Sequence, residues 1–299
     1  MIVDTVLLEK GLKAAFNKAM TGIIADSGAT KALEAITSIL PSEGEDEKYG
    51  FLGDIPAVRE WIGDKVAGHI KDHNYTLTNK NYEVSINIDR NEINDDRMGI
   101  LRPRIAQMVS TMQRYKWELV IASVVAGTTL LAYDGAAFFA THGSPTLDNL
   151  LGGTSSTIAT IKTDLYSAKA AMMEFVSDQS KVLRLAMDTI LVPAEQEGLF
   201  LEGLESSTNP GGAGDGIFNP LKGWIKQLIV EPSLTDANDW YGFASAHPLK
   251  PMILQMREEP NPVMDTTAEA RSRQIIFSAE MRAVAGYGIF AQAVKMVNG

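Results

Sequence analysis

From Tyr82 to Asp89 the chain alternates apolar and polar residues without a break. Tyr82, Val84, Ile86 and Ile88 take one face; Glu83, Ser85, Asn87 and Asp89 take the other. That is the period-2 pattern of a strand with one face buried. The preceding stretch carries Tyr75 and Leu77 on one face and can pair back across Asn79-Lys80-Asn81, because Asn tolerates the left-handed conformation of tight turns. The two stretches, 75–78 and 82–89, are therefore expected to form a hairpin. Long helical segments follow it and few strands lie nearby in sequence, which leaves open what covers its apolar face.

The longest of those helices follows at once. Ile105, Met108, Val109, Met112, Lys116, Leu119, Val120 and Ser123 mark one face of a helix over 102–126, roughly 36 Å long at about 1.5 Å per residue. Pro103 sits near its start and Gly127 is a natural stop. Upstream, Ile55, Val58, Ile62, Val66 and Ile70 define an amphipathic helix, with Asp54 as N-cap and Pro56 in the first turn. Leu7, Leu8, Leu12 and Phe16 sit at helical spacing in a first helix broken at Gly22 and Ser27-Gly28. Thr30–Leu40 reads as a second helix. The acidic, turn-rich 41–50 reads as a linker. The first forty residues are then either an arm on a flexible strap or a helical start folded onto the body; both readings stand.

Downstream, 130–153 is short-strand and loop material. Ser155–Thr157 can cap a helix whose inner face carries Ile158, Ile161, Leu165, Met172 and Phe175. A buried strand at Thr189–Val192, a helix after Pro193, a glycine-rich loop at 209–220 and strands at Ile225–Val230 and Trp240–Ala244 follow. The last stretch is strand-like, with Gly286 and Gly288 as bends. The fold class is α+β.

The chain has no cysteine, which excludes disulfides, thiolate metal sites and cysteine nucleophiles. Its 27 Lys and Arg against 37 Asp and Glu give a net charge of -10, with no basic stripe to grip phosphates. No apolar run reaches the length of a spanning helix. His69 and His73 have the i, i+4 spacing of a metal pair, but the intervening residues lack the Glu of the zinc-protease helix motif. Gly211–Gly216 is glycine-rich with no Lys-Ser or Lys-Thr after it, so it is no phosphate-binding loop. A Gly-x-Ser-x-Gly elbow is absent. No catalytic, cofactor-binding or metal-binding residue is assigned, and no cofactor is expected.

Five ordered stretches do carry a resemblance: YGFLGDIPAVREWIGD (49–64), INDDRMGILRPRIAQM (93–108), YDGAAFFATHGS (133–144), DWYGFASAHPLKPMILQMREEP (239–260) and EMRAVAGYGIFAQAVK (280–295). Together they resemble the HK97-type major capsid proteins of tailed phages and, more narrowly, the major head subunits of phage Mu and Mu-like prophages, the gpT family. The resemblance implies an HK97-like fold with an N-terminal arm at 1–45 and an extended E-loop hairpin at 71–93. It implies a peripheral domain (46–70, 94–185 and 268–299) holding the long spine helix, and an axial domain at 186–267. Hexamers and pentamers would close into an icosahedral shell around double-stranded DNA bound without sequence-specific contacts. Scaffold protein, portal and decoration protein are the implied partners, with no membrane. The protein would reside in the virion after assembly in the bacterial host cytoplasm.

Under this reading Tyr75, Leu77, Lys80, Tyr82, Val84, Ile86 and Ile88 form a subunit interface, and the apolar face of the hairpin is covered by a neighbouring subunit. Some shells of this type crosslink through an E-loop Lys and an Asn of a neighbour. Lys80, alone in a polar turn, is most simply a solubility device on an exposed edge, so a noncovalent shell is expected. The inner wall is expected to lack a continuous basic patch. Two other readings are an encapsulin-like shell around cargo proteins and an enzyme without a recognisable motif, since a fold alone does not give function.

Overall fold

The computed structural model describes residues 5–26, 32, 34–50, 75–89, 98–143, 147–154, 157–177, 181–208, 218–267 and 273–298. In chain order these form α1 (Thr5–Asp26), β1 (Thr37–Pro41), β2 (Asp46–Tyr49), β3 (Tyr75–Thr78), β4 (Lys80–Asp89) and α2 (Met98–Val125). Then come β5 (Thr141–His142), β6 (Leu147–Asp148), β7 (Leu150–Gly152), α3 (Ile158–Glu174), β8 (Thr189–Val192) and α4 (Glu197–Glu205). The chain ends with β9 (Gln227–Val230), β10 (Trp240–Phe243), β11 (Met252–Asp265), β12 (Gln274–Tyr287) and β13 (Ala293–Val297). The predicted helix at 54–70 and the His69–His73 pair lie outside the described residues, as does most of the glycine-rich loop.

Two sheets organise the chain. The first has the order β1-β11-β12-β4. β11 and β12 form a long antiparallel pair whose register shifts between Met256 and Glu258 and again between Glu258 and Asn261, the second shift spanning Pro260, which cannot donate to the ladder. β4 runs antiparallel to β12 from Lys80↔Ala283 to Asp89↔Gln274. One face of this sheet is closed by helices. Leu12 and Phe16 of α1 join Ile105, Met108, Val109 and Met112 of α2 in a buried cluster with Ile88, Ile275, Phe277 and Met281. Tyr82, Val84 and Ile86 pack on the same cluster, half-buried, and Tyr82 meets Tyr115 of α2 edge-on at 4.9 Å.

This arrangement corrects three expectations. First, no hairpin joins β3 to β4. Only Asn79 separates them, too little for even a two-residue turn, so the chain changes sheets there: β3 pairs with β2 and β4 with β12. The apolar face of β4 accordingly packs on α1 and α2 of its own chain, with Ile88 buried and Tyr82, Val84 and Ile86 half-buried. Second, 5–26 is a single helix through Gly22, docked on α2 by two side chains that are 0 % exposed, Leu12 and Phe16. Of the two readings of the start, the helix folded onto the body is the one found. Third, of the predicted helix at 30–40 the described residues 32 and 34–36 are helical, and the chain then extends into β1, whose β-branched Thr37 and Ile39 suit a strand; β1 lies parallel to β11. The expected linker carries β2 and is part of the fold.

The second sheet has the order β7-β13-β10-β8-β9. α3 and α4 cover one face. Thr157 caps α3 as expected: its hydroxyl accepts from Thr160 N–H, while the Thr160 hydroxyl accepts from Thr157 N–H. Ile161, Leu165, Met172 and Phe175 of that region pack with Phe200, Leu204, Ile190, Val192, Trp240 and Met296. On the other face Leu191, Tyr241 and Phe243 meet Trp117, Val120 and Val124 of α2, together with Phe138, Phe139, Met252 and Tyr287. The C-terminal half of α2 thus joins the two sheets. At its end a 3-10 turn, Ala126–Thr128, brings Gly127 against Phe139, where a Cβ would lie 2.6 Å from the ring.

Gly286 and Gly288 are close-approach positions. A Cβ on Gly286 would come 2.5 Å from the tip of Leu77; one on Gly288 would overlap the carbonyl oxygen of Lys250. A side-chain tip can shift; a backbone carbonyl cannot without moving β11. Gly288→Ala is expected to lose stability at the upper end of roughly 1–3 kcal/mol and Gly286→Ala distinctly less. Chemical denaturation of the two variants checks the order, and equal losses would contradict it.

Candidate functional site

Where the chain changes sheets, a buried polar knot holds it. The Asn79 amide donates to the Ser42 hydroxyl (2.9 Å) and the Gly44 carbonyl (3.0 Å), and its carbonyl accepts from the Gln255 amide (2.8 Å). Tyr49 Oη donates to the Gln255 carbonyl oxygen at 2.7 Å. The Glu47 carboxylate accepts from Gly44 N–H, Glu43 N–H and the Ser42 hydroxyl. These ties fix the β2–β3 pair, in which Tyr49 lies opposite Tyr75, against β11.

The knot has a pH signature. The N–H groups of Gly44 and Glu43 and the Ser42 hydroxyl hold the Glu47 carboxyl below its ordinary value. A depressed carboxyl contributes stability above the ordinary carboxylate range, and that contribution is lost as pH falls through it. Burial, then the charge of Glu47 and then Tyr75, pushes the Tyr49 hydroxyl up to about 12. The contribution of Tyr49 is therefore complete below its unfolded value of about 10 and lost as pH rises toward 12. Protection of the Glu43 and Gly44 amides, measured against the intrinsic exchange rate at each pH, should fall in acid before α2 loosens; unchanged protection below pH 4 would contradict the assignment.

The seven interface residues expected from sequence are not one exposed surface. Leu77 and Ile88 are buried. Tyr75 lies beneath β12, its hydroxyl accepting from Tyr287 N–H at 3.0 Å. Tyr82, Val84 and Ile86 are half-buried in the core under β4. Of the seven, Lys80 alone is exposed, at the first position of β4. What β4 leaves open is its polar face and its outer edge, since β12 is its only strand partner among the described residues.

Other open surface lies on the second sheet, whose ends are β7 and β9. A hollow of about 710 Å³ runs between β9 and α2, walled by Arg114, Trp117 and Glu118 on one side and Gln227–Ser233 on the other. There Trp117 Nε1–H donates to the Glu231 carboxylate, which also accepts from the Ser233 hydroxyl at 2.7 Å. On the opposite face of β9 a hollow of about 450 Å³ is walled by Leu201 and Leu204 of α4 with Lys222, Ile225 and Leu228. Leu130, Leu131 and Phe218 stand exposed, Phe218 at 71 %. Sequence reasoning missed these positions, because being at a sheet edge is a property of strand order, which no local pattern carries.

The arrangement offers adhesion more than chemistry. His142 is buried, with Nδ1 2.7 Å from an Asp134 oxygen, and its ring stacks on Phe290 at 3.7 Å; it holds the 130–143 loop against the chain end. Among the described residues no three His, Asp or Glu side chains converge as metal ligands would. No helix among them is long and apolar enough to cross a membrane.

Comparison with known proteins gives consistent findings. The family model described as Mu-like prophage major head subunit gpT matches residues 6–162, more than half of the chain. The Mu-like prophage FluMu major head subunit of Haemophilus influenzae is 30% identical over 149 residues, covering 50% of this chain and 48% of that protein. The major capsid protein of Escherichia phage Mu is 29% identical over 130 residues, 44% of this chain and 42% of that protein. The chain thus spans about half the length of the curated relatives it matches. Among solved structures, a chain of the bacteriophage JBD30 procapsid superposes with a TM-score of 0.58 at 21% identity, over 98% of this chain and 76% of that one. The fold is that of the HK97-like phage capsid subunits.

Proposed function

The chain belongs to the Mu-like prophage major head subunit gpT family, and we propose on that footing that it is a major capsid protein which self-assembles into hexamers and pentamers of an icosahedral phage head. The observation that carries the reading is the family match over residues 6–162, which takes in both helices under the long sheet. The JBD30 procapsid likeness supports the fold across nearly the whole chain. The role is structural, not catalytic. The shell encloses double-stranded DNA without sequence-specific contacts, in keeping with a net charge of -10. It forms with a scaffold protein and a portal, and with a decoration protein, in the host cytoplasm, and the subunit resides in the virion.

Within the subunit, the long sheet with α1 and α2 corresponds to the peripheral domain, and α2 to its spine helix. The five-stranded sheet with α3 and α4 corresponds to the axial domain. This division follows the cores: α3 packs with β8, β10 and β13, whereas β11 belongs to the long sheet. It is a different division from the sequence-based limits at 185/186 and 267/268. β4 meets a neighbour through Lys80, its polar face and its outer edge, noncovalently.

Light scattering and negative-stain microscopy of the purified protein test the proposal. Closed particles of hundreds of subunits are expected. A protein that stays monomeric across the concentration range would overturn it, and particles carrying protein cargo without nucleic acid from the host would point to the encapsulin-like alternative.

A further inference from the structure

Among the described residues β7 and β9 have no strand partner on their outer sides, and these two edges of the five-stranded sheet fit each other. In β9, Gln227 N–H donates to Asp188 and Glu231 N–H to Val192, so residues 227, 229 and 231 turn their backbone groups toward β8. Backbone direction alternates along a strand; Leu228 and Val230 therefore turn theirs outward. In β7, Asn149 C=O accepts from Lys295 N–H and Gly153 N–H donates to Val297, so Leu150 and Gly152 are the residues turned outward. Two outward donors of that edge are already engaged within the chain: Leu150 N–H on Asp148 and Thr154 N–H on Asp164.

Strand direction also agrees. β7 is parallel to β13, β13 antiparallel to β10, β10 antiparallel to β8 and β8 parallel to β9, so β7 and β9 run the same way at opposite ends of one sheet. We propose that β7 of one copy adds in parallel to β9 of the next, making a head-to-tail contact that continues the sheet from subunit to subunit. The pairing rule for parallel strands then gives three bonds. Leu228 N–H donates to Leu150 C=O, Gly152 N–H to Leu228 C=O, and Val230 N–H to Gly152 C=O. Neither of the engaged donors is needed.

The side chains agree as well. In this register Leu151 comes opposite Leu228. Both are half-buried and both lie on the face of the sheet that packs on α3 and α4, so each completes its burial on the other. Leu151 enters the hollow walled by Leu201, Leu204 and Leu228. A contact between two different surfaces of identical subunits closes into a ring when its rotation allows, as a capsomer requires. The inference rests on the capsid reading and adds which edges of this chain meet.

Gly152 gives a clean test, because a Cβ there meets nothing within 4 Å in its own chain. Gly152→Ala keeps the N–H; Gly152→Pro removes it while leaving the ladder to β13 intact. Gly152→Ala should assemble as the unaltered protein does. Gly152→Pro should need a roughly tenfold or greater concentration to leave the monomer in sedimentation, with an unchanged melting temperature. Should Gly152→Pro melt early, the chain's lack of cysteine allows a second measurement. Particles of the Leu151→Cys, Leu228→Cys double variant, once oxidised, should give a ladder of multimers on a non-reducing gel. Gly152→Pro particles forming like those of the unaltered protein, or oxidised particles giving only monomer, would overturn the pairing while the capsid reading stood. An unaltered protein that never leaves the monomer would sink the capsid reading itself.

Discussion

Ile88→Asp is expected to cost the isolated subunit about 4 kcal/mol or more. Ile88 is 1 % exposed, enclosed with Leu12, Phe16, Ile105 and Ile275. Removing a buried Ile side chain costs roughly 2–5 kcal/mol on its own, and a carboxylate placed there finds no cation in the cluster and must stay neutral or open the core to water. The loss should appear in the monomer, before any assembly. Val84→Asp with Ile86→Asp should follow the same order at smaller cost, since those side chains are half-buried. Asn87→Asp, on the polar face of the same strand, should change stability little. Urea unfolding of unassembled protein decides it. An Ile88→Asp monomer as stable as Asn87→Asp would mean that the apolar face of β4 is covered by a neighbouring subunit after all.

The same strand marks how far the sequence is legible. Its alternation reads directly as a strand with one buried face, and the inner face of α2 reads as well: Ile105, Met108, Val109, Met112 and Val120 are all buried. What the alternation lacks is the partner, because nothing between Tyr82 and Ile88 says that the paired residues lie at 274–283. The apolar parity shifts from odd positions, Tyr75 and Leu77, to even ones from Tyr82 on. A turn explains such a shift, and so does a change of sheet; the buried Asn79 and its bonds to Ser42, Gly44 and Gln255 select the second. Leu12 and Phe16 show the same limit in a helix, since an apolar stripe looks alike whether its own body or another covers it. The family likeness supplied the overall plan but not these pairings. The edges at β7 and β9 were the least legible, being defined only once β10 and β13 lie between them.

Lys295→Met is expected to destabilise the five-stranded sheet by about 3–5 kcal/mol, the range for removing one member of a buried ion pair. Lys295 Nζ lies 2.8 Å from an Asp239 oxygen, and their side chains are 12% and 5% exposed. The other Asp239 oxygen accepts from Asn298 N–H at 2.9 Å. The pair ties β13 to the entry of β10, where Trp240 is fully buried. With Met at 295 the carboxylate keeps, among the described residues, the Asn298 N–H and loses its cation. Adding Asp239→Asn removes that charge but keeps an oxygen for Asn298, so the double variant should recover a large part of the loss. If the pair mattered only through the packing of the Lys295 stem under Tyr241, whose ring centroid is 5.6 Å from the charge, Met would preserve it. The single variant would then be nearly neutral and the double no better. A double variant less stable than Lys295→Met would sink the ionic account, and chemical denaturation of the three proteins under one buffer condition separates these outcomes.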